Sequence, residues 1–466
     1  AFALIHLDGN TKPLSYNGSG RSGTLIELQD LLDKGWKEIP ARGGPPVTVP
    51  GALHLWATII EKHGALELKT ILEPAIHYAR NGFPVSPLIG RNWPFAINVM
   101  QNDEARRVFT VNGKAPEIGQ TMKNNDLGDV FEKVGKEGPE VFYSGEIAKS
   151  IVDTVQEHGG FLTLKDLESH RTQETNALSV SYRDVDVYEH PPNGQGFAAL
   201  LMLNIMENFD LSKLDPLSEE RFHLMIESKK LAYADLHAHC ADPDFYDAPL
   251  DKLLSKTYAK KRAEQIHSDS AMPDYSSGLS LGEDTVYFAT ADREGNAVSF
   301  INSLFMGIGS GLVAPGTGIK LQNRGHLFSL DPQHPNCYAP RKLPFHTIIP
   351  GALYRKNRFW GVFGIMGGAH QAQAHAQFVS NLIDFEMTPQ EAMDYPRFNH
   401  DHKTNTVGLE MGIPMLVESE LIKRGHRIVH DADIRYFGGG QAILRIHEDT
   451  WIAGSDYRKD GHAAGF

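Results

Sequence analysis

Asp284-Thr285-Val286-Tyr287-Phe288-Ala289-Thr290-Ala291-Asp292-Arg293-Glu294-Gly295-Asn296 is the stretch on which the reading of this chain turns. An acidic residue precedes a threonine, and the threonine opens an apolar run that ends in a polar, glycine-containing turn. A threonine hydroxyl is a weak nucleophile until a base stands beside it. Cutting the chain just before the threonine supplies one, because a freed α-amine titrates near ~8 and is partly unprotonated at neutral pH. Thr285–Ala291 is apolar enough to predict a strand buried on both faces. Arg293-Glu294-Gly295 suits a three-residue hairpin loop with Gly295 in the left-handed region. If Asp292 closes that loop against Asn296, counting back places Ser303 opposite Thr285, side chains on one face and Cβ atoms about 5 Å apart. A hydroxyl there could orient the nucleophile or relay its proton.

Working outward, residues 268–284 are rich in Ser, Gly, Pro and Asp and read as a linker that ends at Asp284-Thr285, as cleavage would require. Downstream, the apolar run Trp360–Met366 ends in Gly367-Gly368, and Ala369-His370-Gln371 begins a helix predicted to run to about 384. Paired glycines between a strand and a helix expose backbone N–H groups near the positive helix end, which suits a developing oxyanion. Upstream, residues 1–20 read as two strands joined at Asp8-Gly9-Asn10, and residues 24–158 as short helices. One of these is expected to start at Leu72-Glu73-Pro74-Ala75-Ile76. Val185–Tyr188 reads as a strand, the loop Pro191–Gly196 feeds a helix over 197–207, and a longer helix spans 219–237. Gly307–Gly311 reads as a flexible loop, without the strand–turn–helix spacing of a nucleotide site.

The bulk properties narrow the class. The 466 residues, 22% charged and 41% apolar, are those of a globular protein with a sizeable core. A net charge of −13 argues against a dedicated nucleic-acid or anionic-membrane binder, and no run approaches the ~18 apolar residues of a bilayer span. The first residues lack a methionine and a signal segment, so earlier residues are expected to precede Ala1. The compartment, cytoplasmic or secreted, is left open. Cys240 and Cys337 are expected to be unpaired buried thiols. His237-Ala238-His239-Cys240 has metal-ligand residue types but no matching partners, and His370 and His375 diverge around a helix, so no metal is expected.

These segments together resemble the γ-glutamyltranspeptidase family of N-terminal nucleophile hydrolases. The likeness is carried by Leu72–Ala75, Gly159–Leu167, Pro191–Gly196, Ala232–Asp235, Asp242–Phe245, Thr285–Val298 and Gly367-Gly368. It implies an α+β fold, a four-layer αββα sandwich, and a precursor cut between Asp284 and Thr285. Residues 1–284 and 285–466 would then form a large and a small fragment that stay folded together, with higher homo-oligomers possible. In the resemblance Thr285 stands at the nucleophile and Ser303 at a threonine beside it. Gly367 and Gly368 stand at the oxyanion-hole amides, and His346 and Thr347 at two substrate-contacting serines. The substrate clamp departs from the family: Phe305 stands for an asparagine, Arg324 for a glutamine, and Leu327 for the aspartate that holds the substrate's α-amine. The carboxylate-binding arginine falls near Ser19, with Arg21 two positions on. This altered clamp is similar to the acylase-like branch, and Arg21 and Arg324 keep positive charge for an acidic acyl group.

The expected activity is hydrolysis or acyl transfer on γ-glutamyl or related amides such as glutathione, with an amine acceptor in the transfer case and no cofactor. Two rival readings are a catalytically silent homologue serving as a binding or scaffold protein, and a metal-dependent hydrolase using the histidines.

Overall fold

The computed structural model describes residues 1–273, 284–430 and 432–466, with Asp284 described by its backbone. The part of the expected linker over 274–283 lies outside the described residues. The chain divides into two compact units. The first comprises Ala1, Tyr16–Gln173 and Ser303–Phe345; the second comprises Phe2–Ser15, Glu174–Asn302 and His346–Phe466.

The first unit is mainly helical, as residues 24–158 predict, with helices Ala52–His63, Leu68–Asn81, Pro87–Ile97, Asn125–Glu137 and Gly145–Glu157 among its elements. Val134, Ile151, Val155, Leu162, Leu167, Leu312 and Leu321 form its main apolar cluster. The helix expected to begin at Leu72 starts at Leu68, and Pro74 lies inside it. Proline has no N–H for the carbonyl of Thr70, but that residue is exposed, so water can take the place of the lost bond. Gly307–Gly311 is not a loose loop. Ile308 to Gly311 are buried, Ser310 N–H donates to the Leu321 carbonyl at 2.8 Å, and Arg42 donates to the Gly307 carbonyl at 2.7 Å. Its glycines are there for close approach, since a Cβ on Gly309 would strike the Leu321 carbonyl.

The second unit is layered. A six-stranded sheet runs in the order Thr450–Ser455, Gly439–His447, Arg358–Met366, Gly351–Arg355, Val185–Glu189, Leu178–Tyr182. Helices Gly196–Met206 and Gln371–Asp384 lie on it, and Glu219–His239 packs on the former. Gly196–Met206 is buried at every position, which explains a sequence apolar all round. A five-stranded sheet runs Gln173–Thr175, Leu14–Asn17, Phe2–His6, Ala297–Phe305, Asp284–Ala291. The expected strand pair near the N-terminus is present, turned at Gly9 with φ +85°.

The expected hairpin forms. Asp292 N–H donates to the Asn296 carbonyl at 3.0 Å, and Gly295 has φ +94°. Phe288 stacks on Phe300 with ring centroids 4.9 Å apart, the pair that the count from Asp292–Asn296 requires. The expectation of a strand buried on both faces is wrong. Asp284–Ala291 is an edge strand, and burial alternates along it: Tyr287 is 4% exposed, Val286 55% and Phe288 44%. Local apolarity does not reveal which face a neighbouring layer covers.

The two sheets meet at Tyr287. Its ring lies over Gly364 of strand Arg358–Met366, and a Cβ on Gly364 would fall inside that ring. Ser299 Oγ donates to the Phe363 carbonyl at 3.2 Å, which uses its one proton, so Tyr287 O–H must donate to Ser299 Oγ, 2.9 Å away. Gly364→Ala should therefore cost about 1–3 kcal/mol by overpacking. Val286→Thr, on the exposed face, should change stability by less than about 0.5 kcal/mol. Urea unfolding of both variants checks this, and equal midpoints would contradict the packing argument.

Candidate active site

Residues two apart on a strand share a face. Thr285 therefore lies on the face of its strand that carries Tyr287 toward the six-stranded sheet, and it is half-buried. Burial drives the Tyr287 hydroxyl well above the usual tyrosine range, so it serves as a neutral hydrogen-bond donor. Strand Arg358–Met366 leads directly into Gly367 and Gly368, three and four residues beyond Gly364, with φ of +148° and +54°. Both values favour glycine, which is the local reason for the pair. A single 3-10 turn, Gly368–His370, precedes helix Gln371–Asp384, so the helix starts two residues later than expected. His370 N–H donates to the Gly367 carbonyl at 2.9 Å.

Two buried groups that sequence reasoning missed hold this junction. His375 Nε2 accepts the N–H of Ile365 at 2.9 Å, so the ring proton is on Nδ1 and is donated to Glu189 Oε1 at 2.7 Å. Burial raises the Glu189 carboxyl above its ordinary value, and the His375 contact opposes that rise. Gln195 is fully buried, and its Nε2 donates to the carbonyls of both Gly368 (2.9 Å) and Thr347. His346 and Thr347, expected on the substrate side, are buried and lie beside the loop before Gly196. His346 N–H donates to the Asn193 carbonyl at 2.7 Å. Gln195 stands in the quoted Pro191–Gly196 loop, but nothing in its spacing marks the side chain.

In the first unit, Ser303 Oγ accepts from Arg324 Nη2 at 2.7 Å and from Phe305 N–H at 2.9 Å. The Arg324 guanidinium lies 4.7 Å from the centroid of Phe305, whose φ is +79°. Arg324 is 1% exposed and lies next to Ser303. Leu327 is equally buried, in the same 3-10 turn as Arg324. Arg21 is half-buried and donates to the Arg341 carbonyl at 2.8 Å.

Comparison with known proteins shows the family. The Gamma-glutamyltranspeptidase family model matches residues 1–466. A glutathione hydrolase-like proenzyme of Bacillus subtilis (strain 168) is 37% identical over 97% of this chain and 86% of its own length. The glutathione hydrolase proenzyme of Escherichia coli (strain K12) is 32% identical over 91% of this chain and 75% of its own. The chain belongs to the γ-glutamyltranspeptidase family. Among solved structures, a cephalosporin acylase from Bacillus halodurans superposes with a TM-score of 0.92 at 38% identity, covering 100% of this chain and 86% of its own. The fold is therefore the α+β, αββα sandwich of N-terminal nucleophile hydrolases, and this family member is an enzyme of the amide-hydrolysing kind.

In the His237–Cys240 segment, His239 Nδ1 is 2.7 Å from the Tyr246 hydroxyl and Cys240 Sγ donates to the Gly194 carbonyl at 3.3 Å. Both cysteines are free and buried, as expected. Among the described residues, His223, Glu227 and His426 place potential ligand atoms within 4.8 Å of one another. Hydrogen bonds and an ion pair engage part of that trio, while His426 Nδ1 and Glu227 Oε1, 4.0 Å apart, have no hydrogen-bond partner among the described residues. His223 Nε2 donates to the His267 carbonyl at 2.7 Å, so its Nδ1 accepts from His426 Nε2 at 2.8 Å. Lys230 Nζ lies 2.8 Å from Glu227 Oε1, and Met272 N–H donates to Glu227 Oε2 at 2.8 Å. The ammonium already neutralises the carboxylate, and the cluster ties residues 267–272 to helix Glu219–His239. Among the described residues, no helix is long and apolar enough to cross a membrane.

Burial, with the charge of Lys230 nearby, holds His426 down to about 3. An unfolded histidine titrates near ~6.5. Between these values the unfolded chain binds a proton that the folded chain refuses, so stability falls as pH drops from about 6.5 toward about 3. The slope is about 1 kcal/mol per pH unit for one such histidine. His426→Gln should make this acid loss shallower in denaturation series between pH 7 and 4.5. Parallel curves for variant and wild type would rule out His426 as a source.

Proposed function

We propose that the protein is a self-processing amide hydrolase or acyltransferase whose nucleophile is Thr285. The observation that carries this reading is the placement of Thr285 two residues before Tyr287, on the strand face that packs against the sheet strand ending in Gly367-Gly368. The proenzyme names of the relatives support the processing step.

The Thr285 hydroxyl attacks the Asp284 carbonyl, and the peptide nitrogen leaves, giving an ester with a free amine on residue 285. Water cleaves that ester, leaving fragments 1–284 and 285–466. The amine of Thr285 then takes the hydroxyl proton as the oxygen attacks a substrate amide, and returns it to the leaving amine. The Gly367 and Gly368 N–H groups hold the tetrahedral oxyanion, a role worth ~3–4 kcal/mol for each donor in comparable sites. Ser303, which the hairpin count pairs with Thr285, orients the nucleophile. Water resolves the acyl-threonine, or an amine does so in transfer.

The acyl group is γ-glutamyl or a related acid, with glutathione within the class. His346, Thr347, Arg21 and Arg324 form the substrate side. Leu327 cannot pair with an ammonium, and an unpaired buried charge costs several kcal/mol, so an acyl group with a distal carboxylate and no α-amine suits this clamp better.

Two measurements test the reading. Mass spectrometry should find two fragments for wild type and one intact chain for Thr285→Ala, with kcat lowered ~10⁴-fold or more. An uncut, active wild type would end it. With glutaryl and γ-glutamyl p-nitroanilides, kcat/KM should be at least about 10-fold higher for the glutaryl compound, the equivalent of one weak charge contact. A γ-glutamyl preference would contradict the role assigned to Leu327.

A further inference from the structure

The oxyanion assignment requires that the Gly367-Gly368 turn be held still, and glycine pairs are the least able to hold themselves. A carbonyl and the N–H of the next residue lie in one rigid peptide plane. The Gly367 carbonyl therefore sets the direction of the Gly368 N–H, while the Gly368 carbonyl sets the Gly368–Ala369 peptide and with it the exit from the turn. The Gly367 carbonyl is fixed within the turn by His370 N–H at 2.9 Å. The Gly368 carbonyl is fixed by Gln195 Nε2 at 2.9 Å, and the same nitrogen donates to the Thr347 carbonyl. Gln195 is 0% exposed and stands at the start of helix Gly196–Met206.

A second amide spans the same two segments. Gln371 Oε1 accepts from Ile349 N–H at 3.1 Å, joining the first residue of the helix after the glycine turn to the stretch that contains Thr347. The remaining side-chain atoms of the pair, the acceptor Gln195 Oε1 and the donor Gln371 Nε2, are both buried and without a hydrogen-bond partner among the described residues. Buried polar atoms are left this way at a cost, so the two glutamines are retained for more than filling space. A hydrocarbon of the same length would fill the space without that cost.

We infer that Gln195 is a positioning residue of the reaction, which anchors the Gly368–Ala369 peptide, and so the end of the Gly367-Gly368 turn, to the Thr347 segment by holding both carbonyls with one amide nitrogen. This rests on the proposed roles of Thr285 and the glycine pair. Gln195 itself touches neither substrate nor nucleophile in this assignment; it acts through the backbone of Gly368.

Gln195→Met keeps the length and removes the donor, and Gln195→Glu replaces the amide with a group that donates only when protonated. Beside two carbonyl oxygens the introduced carboxyl will favour its protonated form. On the anilide that wild type turns over, Gln195→Met should lower kcat ~10–100-fold, below the ~10²–10³-fold seen when an oxyanion donor is removed outright, and change KM less than about 3-fold. Measured against wild type at each pH, Gln195→Glu should approach wild-type kcat at acidic pH and fall progressively below it as pH rises. A Gln195→Met protein with wild-type kcat, or a Gln195→Glu profile that superposes on wild type, would overturn the inference. If Gln195→Met fails to fold, the Gln195→Glu profile decides alone. Thr285→Ala measured alongside separates the two claims: activity surviving in that variant refutes the nucleophile, whereas its loss beside unaffected Gln195 variants refutes only the positioning role.

Discussion

The contact of Tyr287 with Gly364 is the constraint on which the rest of the second unit depends. Facing sheets sit about 10 Å apart, a gap filled by side chains from both. Here one of those side chains is a tyrosine and its opposite number is no side chain at all. An edge strand has a neighbour on one side only, so its orientation rests more than usual on what it meets across the sheets. Tyr287 meets the floor of Gly364 and bonds Ser299, which in turn bonds the Phe363 carbonyl. Thr285 is two residues from one partner of that contact, and Gly367 three residues from the other. Groups carried on strands are placed more precisely than groups carried on loops.

Around the end of strand Arg358–Met366 the interior becomes polar, and the polarity is used to fix backbone. Ile365 lies beyond the end of strand Gly351–Arg355, whose pairing with Arg358–Met366 reaches only Phe363 opposite Gly351. Its N–H is instead taken by His375, which Glu189 orients. Gly368 continues the pattern through Gln195. His375 replaces a ladder bond that strand Gly351–Arg355 no longer supplies, and Gln195 holds a carbonyl just beyond the strand. A buried N–H or carbonyl left without a partner costs ~1–3 kcal/mol, so the strand end has few alternative conformations.

What the sequence made legible is local. The hairpin loop, the left-handed Gly295, the register seen in Phe288 and Phe300, and the glycine pair all follow from residues within twenty positions of one another. What stayed hidden depends on distant chain. Thr285–Ala291 is apolar in sequence, yet only its Tyr287 face is covered, because its coverage is decided by residue 364. The Glu189–His375 pair joins residues 186 positions apart, and no pattern in either segment announces the other. Gly307–Gly311 looked flexible by composition and is tightly held, since composition cannot distinguish glycines that permit motion from glycines that permit contact. Pro74 marked a helix start by habit and sits mid-helix, where an exposed carbonyl makes it tolerable.

The residues proposed for chemistry and those proposed for selection are distributed unequally. Thr285, Gly367, Gly368 and Gln195 belong to the second unit, with His346 and Thr347 of the substrate side, while Arg21, Phe305, Arg324 and Leu327 belong to the first, with Ser303. Within the first unit, the guanidinium of Arg324, the ring of Phe305 and the hydroxyl of Ser303 form one packed group, with Leu327 in the same turn. A change in this group leaves the residues of the Tyr287–Gly364 contact and of the bonds that hold the glycine turn unaltered. On the proposed assignment, the acyl preference can therefore change while the nucleophile stays in place.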